Sequence, residues 1–254
     1  MRTLLFWTMA LVSTSFFSFV SLIGGLVRAP KGLHDWVHRG WSRSMLWAAG
    51  ARIEVYGLGH VLRDRPQVFM SNHESNLDTF VLLVSLPASI RFVAKKELSR
   101  IPVLAQAMKA AGHVFVDRGD REAAMMSMRE AGRRMEAHNL SLGLYPEGTR
   151  SRTGSLGDFR RGTFVLAIET QEPIIPVAIL GSRDILAAGS PRIRSGKVSL
   201  RVGPQIQTAG LTAADRETLL REVRAAVERL LDQGEAGDPP ASSARDRPFP
   251  ATMS

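Results

Sequence analysis

The chain has 254 residues, no cysteine and a formal net charge of +9 at neutral pH. This length has room for one α/β domain with its own core. The lack of cysteine excludes a disulfide framework, a thiolate zinc site and a cysteine nucleophile. The positive charge favours anionic partners such as acidic lipid headgroups, phosphorylated substrates or nucleic acid, and it does not distinguish among them.

The N-terminal segment is strongly apolar, with no charged side chain over residues 4–27. About 20 apolar residues are enough for a helix to cross a bilayer. A cleaved signal peptide has a shorter apolar stretch and a clear small-residue cleavage site, so an uncleaved anchor is the better interpretation. The Ser and Thr residues of the segment leave a tilted or half-inserted anchor open.

Residues 34–49 combine Trp with His and Arg. This composition is typical of an interfacial helix, and a packed core helix is the alternative. We therefore predict membrane-associated helices over residues 1–50.

The rest of the chain alternates β-rich runs with helical stretches. The predicted strands are residues 52–56, 67–71, 90–93, 113–116, 141–145, 174–179 and 198–202. The predicted helices are residues 79–86, 103–111, 121–138, 163–170 and a last helix that begins at a capping box of Thr212 and Asp215 and stops at Gly234. The alternation predicts a single α/β domain over residues 51–233, with a mixed, largely parallel sheet flanked by helices. The composition of residues 234–254 predicts a disordered tail.

A cluster of polar residues, NHESNLD at positions 72–78, follows the second predicted strand. His73 and Asp78 are too far apart in angle to share one helix face, so His73 must precede the helix and Asp78 must lie in its first turn. The carboxylate can then reach Nδ1 of the imidazole and leave Nε2 free as a base. The alternative is that Ser75 and Asp78 only form a capping box and His73 is a surface turn residue.

A second polar cluster, YPEGTRSR at positions 145–152, comes at the end of the fifth predicted strand. Gly148 allows close backbone approach, and Thr149 and Ser151 offer hydroxyls. Arg150 supplies a forked cation suited to phosphate. These residues indicate an anion-binding loop, although Pro-Glu-Gly also occurs in ordinary turns.

The two clusters together resemble the motifs of the glycerolipid acyltransferase family, which includes 1-acylglycerol-3-phosphate acyltransferase. GHVFVDR at residues 112–118 looks like the middle motif of that family, and EPIIPV at residues 172–177 looks like its final motif. The similarity spans residues 68–179. It implies transfer of a fatty acyl group from acyl-coenzyme A or acyl-acyl carrier protein to the sn-2 hydroxyl of 1-acylglycerol-3-phosphate (lysophosphatidic acid), without a cofactor or a metal.

The resemblance also implies residue roles. His73 would deprotonate the acceptor hydroxyl, with Asp78 as its supporting carboxylate. The residues that would shape the acceptor site around its phosphate are Glu147, Gly148, Thr149 and Arg150, with Lys95 and Arg118 adding positive charge nearby. The expected location is the cytoplasmic face of the inner membrane, because both acyl donors are cytosolic.

Two positions depart from the family pattern. Glu74 stands where many relatives have arginine or glutamine, and Tyr145 stands where phenylalanine is commoner. Glu74 changes the charge beside the expected base, which leaves the acceptor headgroup open. The alternative acceptor is another lysolipid, such as a lyso-ornithine lipid.

Other classes of protein are less consistent with the sequence. A zinc hydrolase would need a histidine where Leu77 stands, and a serine hydrolase would need a G-x-S-x-G elbow, which the sequence lacks. Gly196 and Lys197 are not followed by the Ser or Thr of a phosphate-binding P-loop. A non-catalytic basic protein that binds anionic lipid or nucleic acid is the remaining alternative, and the acyltransferase prediction includes no nucleic acid partner.

Overall fold

The computed structural model describes residues 1–63, 65–117 and 119–235. Within these residues, seven strands form one sheet in the order β1-β7-β6-β2-β5-β3-β4. The strands are β1 (Ala51–Tyr56), β2 (Val68–Ser71), β3 (Ile90–Lys95), β4 (Val114–Val116), β5 (Ser141–Leu144), β6 (Ile174–Leu180) and β7 (Gly196–Val202). Neighbouring strands are parallel, except for the antiparallel pair β6 and β7. The predicted mixed, largely parallel sheet is confirmed.

Helices cover both faces of this sheet. They are α1 (Arg2–Leu26), α2 (Lys31–Ala49), α3 (Leu77–Ser85), α4 (Pro102–Ala110), α5 (Arg121–His138), α6 (Arg161–Thr170), α7 (Ser182–Ile185) and α8 (Arg216–Glu235). One core cluster lies beneath α2 and α3, and the other lies beneath α5, α6 and α8. Every residue of β2 and β5 is buried, as expected for central parallel strands covered on both faces.

The predicted elements agree with the structure to within a few residues. The short helix α7 and the 3₁₀ helices Leu58–His60 and Lys96–Arg100 were not predicted. The predicted stop at Gly234 lies one residue before Glu235, the last residue of α8 that the structure describes. A Cβ atom at Gly234 would come within 2.6 Å of the Leu180 side chain, so the glycine allows α8 to pack closely on β6. The predicted tail from residue 236 onward lies outside the described residues, and the boundaries at 50 and 233 stay predictions.

Helix α1 is bonded to the rest of the protein at several points along its length. Near its start, the Trp7 Nε1–H donates to the Pro191 carbonyl at 2.8 Å. In its middle, Thr14 accepts from the Trp41 indole at 3.0 Å, and near its end the Ser21 hydroxyl donates to the Ala107 carbonyl at 3.2 Å. Ser13, Ser18 and Ser21 of α1 are buried against the body, whereas most of its large apolar side chains, with the exception of Phe6, are exposed.

A buried polar network connects α2 to strand β3. The Arg91 guanidinium, only 1% exposed, donates to the Asp35 carboxylate at 2.7 Å. The Nε2 atoms of His38 and His113 lie 3.1 Å apart, and Nδ1 of His113 accepts the Phe92 amide hydrogen at 3.0 Å. Burial, followed by the nearby Arg91 charge, lowers the pKa of His113 to about 3. Residues 34–49 thus form a packed helix, while Trp36 and Trp47 on it remain exposed.

Candidate active site

The two polar clusters meet at one edge of the sheet. Strands β2 and β5 are parallel neighbours, so the loops that follow them leave from the same edge. The loops are also bonded to each other, because the Ser151 amide donates to the His73 carbonyl at 2.7 Å. Asn72 fixes the first loop to the neighbouring strand β6 through two hydrogen bonds of 2.8 Å with the backbone of Ile179.

His73 and Asp78 are in direct contact. His73 lies before α3, and Nδ1 of its ring is 2.8 Å from Oδ2 of Asp78, which lies in the first turn of the helix. A carboxylate accepts hydrogen bonds, so Nδ1 carries the hydrogen and Nε2 has a free lone pair. Within the described residues Nε2 has no hydrogen-bond partner. The arrangement provides a base whose tautomer is fixed by a buried carboxylate.

The Asp78 carboxylate also organises the backbone of the loop. Its Oδ2 atom accepts the amide hydrogens of Glu74 at 2.8 Å and Ser75 at 2.9 Å. The Ser75 hydroxyl accepts the Leu77 amide hydrogen at 3.2 Å and donates to the Leu186 carbonyl at 2.7 Å. Helix α3 has Asn76 at its N-cap and no side-chain cap hydrogen bond, so the capping box of Ser75 and Asp78 does not form. The two side chains instead make local backbone hydrogen bonds alongside the imidazole contact.

Tyr145 stacks on the imidazole. The two ring centroids are 3.8 Å apart and the planes differ by 11°. The phenol oxygen lies 3.1 Å from Oγ1 of Thr79, and burial raises the pKa of Tyr145 well above its usual value, so the phenol stays neutral. Phe92 stacks nearly parallel to Tyr145 at 6.0 Å. This stack was not predicted, since ring stacking between two loops cannot be read from residue spacing.

Glu147 bonds to backbone and does not face solvent. Its carboxylate accepts the His73 amide hydrogen at 2.8 Å through Oε1 and the Gly157 amide hydrogen at 2.8 Å through Oε2. The side chain is buried, so the carboxylate joins the two loops. Gly148 follows with a φ of 71°, a conformation that favours glycine, and a Cβ atom there would meet the Arg160 side chain at 2.6 Å. Both residues therefore shape the loop.

Thr149, Arg150 and Lys95 line the same cavity as His73. Lys95 is exposed and pairs with Glu97 at 3.1 Å. Arg150 makes no ion pair with any residue in the described part of the chain, so its guanidinium is available to an anion. The predicted site residue Arg118 lies outside the described residues.

The cavity beside His73 has a volume of about 660 Å³ and is mostly apolar. Four helices, α1, α2, α3 and α4, and strand β3 contribute to its lining. A cavity of this size accommodates a drug-sized or larger apolar ligand. The large apolar side chains that line it include Phe6, Phe17, Trp41, Phe80, Leu83 and Phe92. The cavity is therefore lined by the cations of Lys95 and Arg150, by the His73 ring, whose Nε2 has no partner among the described residues, and by a long apolar wall. The contribution of α1 was not predicted.

Glu74 lies beside the base and is partly buried. Burial, and then the negative charge of Asp78, raise the pKa of Glu74 to about 7. Its carboxylate is 3.4 Å from the Asn72 amide nitrogen. At neutral pH the side chain is therefore only partly ionised.

The site has no visible metal-binding arrangement. Among residues 1–63, 65–117 and 119–235, no group of three or more His, Asp or Glu side chains could hold a metal ion. The chemistry that this site supports is proton transfer by an imidazole next to an apolar cavity and a free guanidinium.

The sequence model of the acyltransferase family matches residues 52–180, which contain both loops. The chain belongs to this acyltransferase family.

Individual relatives carry more specific names. The chain is 35% identical over 175 residues to human 1-acyl-sn-glycerol-3-phosphate acyltransferase alpha, covering 69% of this chain and 62% of the relative. It is 37% identical over 182 residues to the human beta protein, covering 71% and 66% respectively. A plant relative from Limnanthes douglasii with the same enzyme name is 35% identical over 164 residues, covering 65% and 58%. The chain spans less than two thirds of the length of these curated relatives.

The fold is also similar to a solved structure. The crystal structure of the 1-acyl-sn-glycerophosphate acyltransferase of Thermotoga maritima matches with a TM-score of 0.80 and 24% sequence identity. The match covers 94% of this chain and 96% of that chain. This likeness supports the fold assignment.

Proposed function

We propose that this protein transfers a fatty acyl group from an acyl thioester, acyl-coenzyme A or acyl-acyl carrier protein, to the sn-2 hydroxyl of 1-acylglycerol-3-phosphate, which gives phosphatidic acid. The observation that carries the proposal is the 2.8 Å contact between His73 Nδ1 and the Asp78 carboxylate at the rim of an apolar cavity. The enzyme names of the relatives support the choice of acceptor.

In the proposed reaction His73 is the general base. Nε2 accepts the proton of the acceptor hydroxyl while the oxygen attacks the thioester carbonyl carbon. The carbon–sulfur bond then breaks, and the imidazolium returns the proton to the leaving thiolate. General-base help of this kind typically contributes about 10² to 10⁴-fold, and alignment of the two substrates adds to it. No covalent acyl-enzyme is needed, in agreement with the absence of cysteine from the sequence.

The acceptor phosphate is assigned to the guanidinium of Arg150, with Lys95 nearby. Arg150 lines the cavity and has no acidic partner among the described residues, so a bidentate phosphate contact is open to it. The rigid turn around Gly148 and the buried Glu147 carboxylate would hold this loop in position. Arg118 is also proposed to add positive charge near the phosphate, and this role rests only on the family resemblance.

A headgroup that carries an amine, as in lyso-ornithine lipid, is the alternative acceptor. Glu74 is the residue that would favour it. The raised pKa of Glu74, about 7, makes this carboxyl a poor anion at neutral pH, and the side chain does not line the cavity. The geometry therefore favours a phosphate acceptor.

The proposed location is the cytoplasmic face of the inner membrane. Helix α1 is long and apolar enough to cross a bilayer by length and composition. Its contacts with the body at Trp7, Thr14 and Ser21 favour a helix that lies along the membrane surface with its apolar side in the lipid. Labelling of cysteines introduced near Arg150 in intact cells would test the orientation, and reactivity from outside would contradict it.

Acyl transfer by the purified protein in detergent, with labelled acyl donor and three acceptors, tests the proposed function. The acceptors are lysophosphatidic acid, monoacylglycerol and lyso-ornithine lipid. We expect a preference for the first, because Arg150 is available to its phosphate. Arg150→Met should raise KM for lysophosphatidic acid about tenfold or more, whereas Arg152→Met, a neighbouring arginine that does not line the cavity, should not. Activity only on the uncharged acceptor would contradict the proposal.

A further inference from the structure

The segment from Lys95 to Lys109 has an unusual surface. It contains the 3₁₀ helix Lys96–Arg100 and helix α4. Three large apolar side chains project from it into solvent: Leu98 is 38% exposed, and Ile101 and Val103 are each 50% exposed. An exposed apolar cluster of this kind marks an interaction surface.

Cations surround these apolar side chains. Lys96, Arg100 and Lys109 are all exposed on the same segment, and the only acidic residue between positions 95 and 109 is Glu97. Apolar side chains within a cationic rim are the pattern of a surface that binds anionic lipid, because the side chains enter the acyl region while the cations meet headgroup phosphates.

This surface is continuous with the apolar side of α1. Helix α4 packs on the C-terminal half of α1, where Ser21 bonds to the Ala107 carbonyl and Gly25 lies against Ala110. The outer face of α1 there carries Phe19, Ile23 and Leu26, all exposed. The segment therefore packs directly on the helix that carries this exposed apolar face.

The segment also forms part of the cavity that contains His73. Leu98 and Leu104 line it, together with Phe17 and Ser18 of α1. A lipid next to Ile101 would thus stand at the border between the protein surface and the cavity.

We propose that residues 95–109 form a second membrane-contacting element that binds the anionic surface of one leaflet and admits the lysolipid sideways from that leaflet into the cavity. This inference rests on the proposed function for the identity of the lipid that enters. The contact itself is independent of it: Ile101 and Val103 enter the acyl region, and Arg100 and Lys109 meet lipid phosphates.

Single-cysteine labelling tests the contact directly, because the natural sequence has no cysteine. Full-length Ile101→Cys and the matched control Met126→Cys, a 65% exposed apolar site on α5, would each carry a nitroxide label. On vesicles of phosphatidylcholine and phosphatidylglycerol, we expect the label at 101 to collide more with oxygen than with an aqueous nickel chelate. The label at 126 should show the reverse. Equal aqueous exposure of the two labels would overturn the proposal. Protection of the label at 101 from the nickel chelate by acyl carrier protein, in the absence of vesicles, would also overturn it. This measurement does not require catalytic activity, so its result is separate from that of the proposed function.

Two sets of substitutions test the roles of the apolar and cationic parts. Ile101→Ser with Val103→Ser should lower kcat/KM about tenfold for long-chain lysophosphatidic acid in vesicles, since the loss of buried apolar area weakens docking. Activity on a short-chain, monomeric acceptor should be unchanged, and Met126→Ser should keep the parent kcat/KM on both acceptors. An equal loss on both acceptors in the double variant would overturn the proposal.

Arg100→Gln with Lys109→Gln should weaken binding about tenfold to vesicles that contain phosphatidylglycerol and leave binding to pure phosphatidylcholine unchanged. Equal binding of parent and variant to both vesicle types would contradict the cationic role.

Discussion

Two clusters in the described part of the protein contain histidine, one formed by His73 and Asp78 and the other by His38 and His113. Their imidazole nitrogens have different partners. At the sheet edge, His73 is held by one carboxylate, and its Nε2 atom has no partner within the described residues. Beneath α2, the Nε2 atoms of His38 and His113 face each other at 3.1 Å. The first cluster leaves one basic nitrogen open to a cavity, and the second uses its ring nitrogens within the protein.

The difference shows that surroundings, more than residue type, decide what a histidine does. The His73 ring stays partly exposed at 16%, and its carboxylate partner Asp78 is buried. His38 and His113 are both buried, and burial is the main cause that lowers the pKa of each. We therefore expect the first cluster to control the reaction rate and the second to control stability.

Removal of the proposed base should give the largest effect. His73→Ala should lower kcat about 10³-fold, because general-base help is lost while the fold remains. The matched control His60→Ala replaces an exposed histidine outside the site and should retain full activity. Radiolabelled acyl transfer with circular dichroism of both variants measures this. Retention of most activity in the folded His73→Ala variant would rule out the proposed base.

Asp78→Asn tests the support of the base. The amide keeps the size of the side chain but removes the charge that holds the Nδ1–H tautomer, so we expect kcat to fall about 10²-fold. The thermal midpoint should also fall, because the same carboxylate oxygen accepts the Glu74 and Ser75 amide hydrogens. Steady-state kinetics and thermal denaturation check the two effects. A normal kcat with a lowered thermal midpoint would mean that Asp78 only stabilises the backbone of the loop.

His113→Gln should separate stability from rate. The unfolded chain binds a proton at this histidine near pH 6.5, whereas the folded protein binds it only near pH 3, so His113 reduces stability as the pH falls through this window. The variant should be about 5 °C less stable at pH 7.5, where hydrogen bonds are lost, and its thermal midpoint should depend less on pH between 6.5 and 4. The rate should change less than about threefold, since the His113 ring lines the cavity but both of its nitrogens bond within the protein. A loss comparable to that of His73→Ala in the folded variant would contradict the division between the clusters.

Tyr145 acts on the first cluster through stacking, so we expect a smaller change in rate. Tyr145→Phe keeps the ring and removes only the contact with Thr79, which should lower kcat about twofold to threefold. Tyr145→Leu removes the stacked ring and should lower kcat about tenfold, with KM little changed. Equal kinetics for the two variants would show that the stack does not position the imidazole.

Glu74→Gln should produce the smallest effect, and it should depend on pH. The carboxyl has a folded pKa of about 7, above its ordinary value of 4.5, so the folded state loses stability as the pH rises from 4.5 to 7. Because the side chain is partly exposed, the gain from the uncharged amide should be only about 3 °C at pH 8, with little change at pH 5. Thermal denaturation at the two pH values measures this. A gain at pH 5 equal to that at pH 8 would exclude titration of Glu74 as the cause.

The contact between His73 and Asp78 could be predicted from the sequence because its geometry is local. The five-residue separation of His73 and Asp78, across a helix start, limits the conformations that let them meet. The strands were predictable because their apolar runs are short and bounded by polar or turn residues. The proximity of the two loops followed from parallel strands that share an edge.

The remaining features depend on long-range packing. The stack of Tyr145 on His73 and the pairing of His38 with His113 join residues from different elements, and neither has a signal in residue spacing. The packing role of Gly234 is also long-range, because its missing side chain makes room for Leu180 on β6.

The most direct test is a crystal structure of the native protein with lysophosphatidic acid and no acyl donor. The account predicts the sn-2 hydroxyl oxygen within about 3.2 Å of His73 Nε2 and the phosphate in contact with the Arg150 guanidinium. A bound acceptor whose hydroxyl lies out of reach of His73, or whose phosphate lies away from the 145–152 loop, would contradict it.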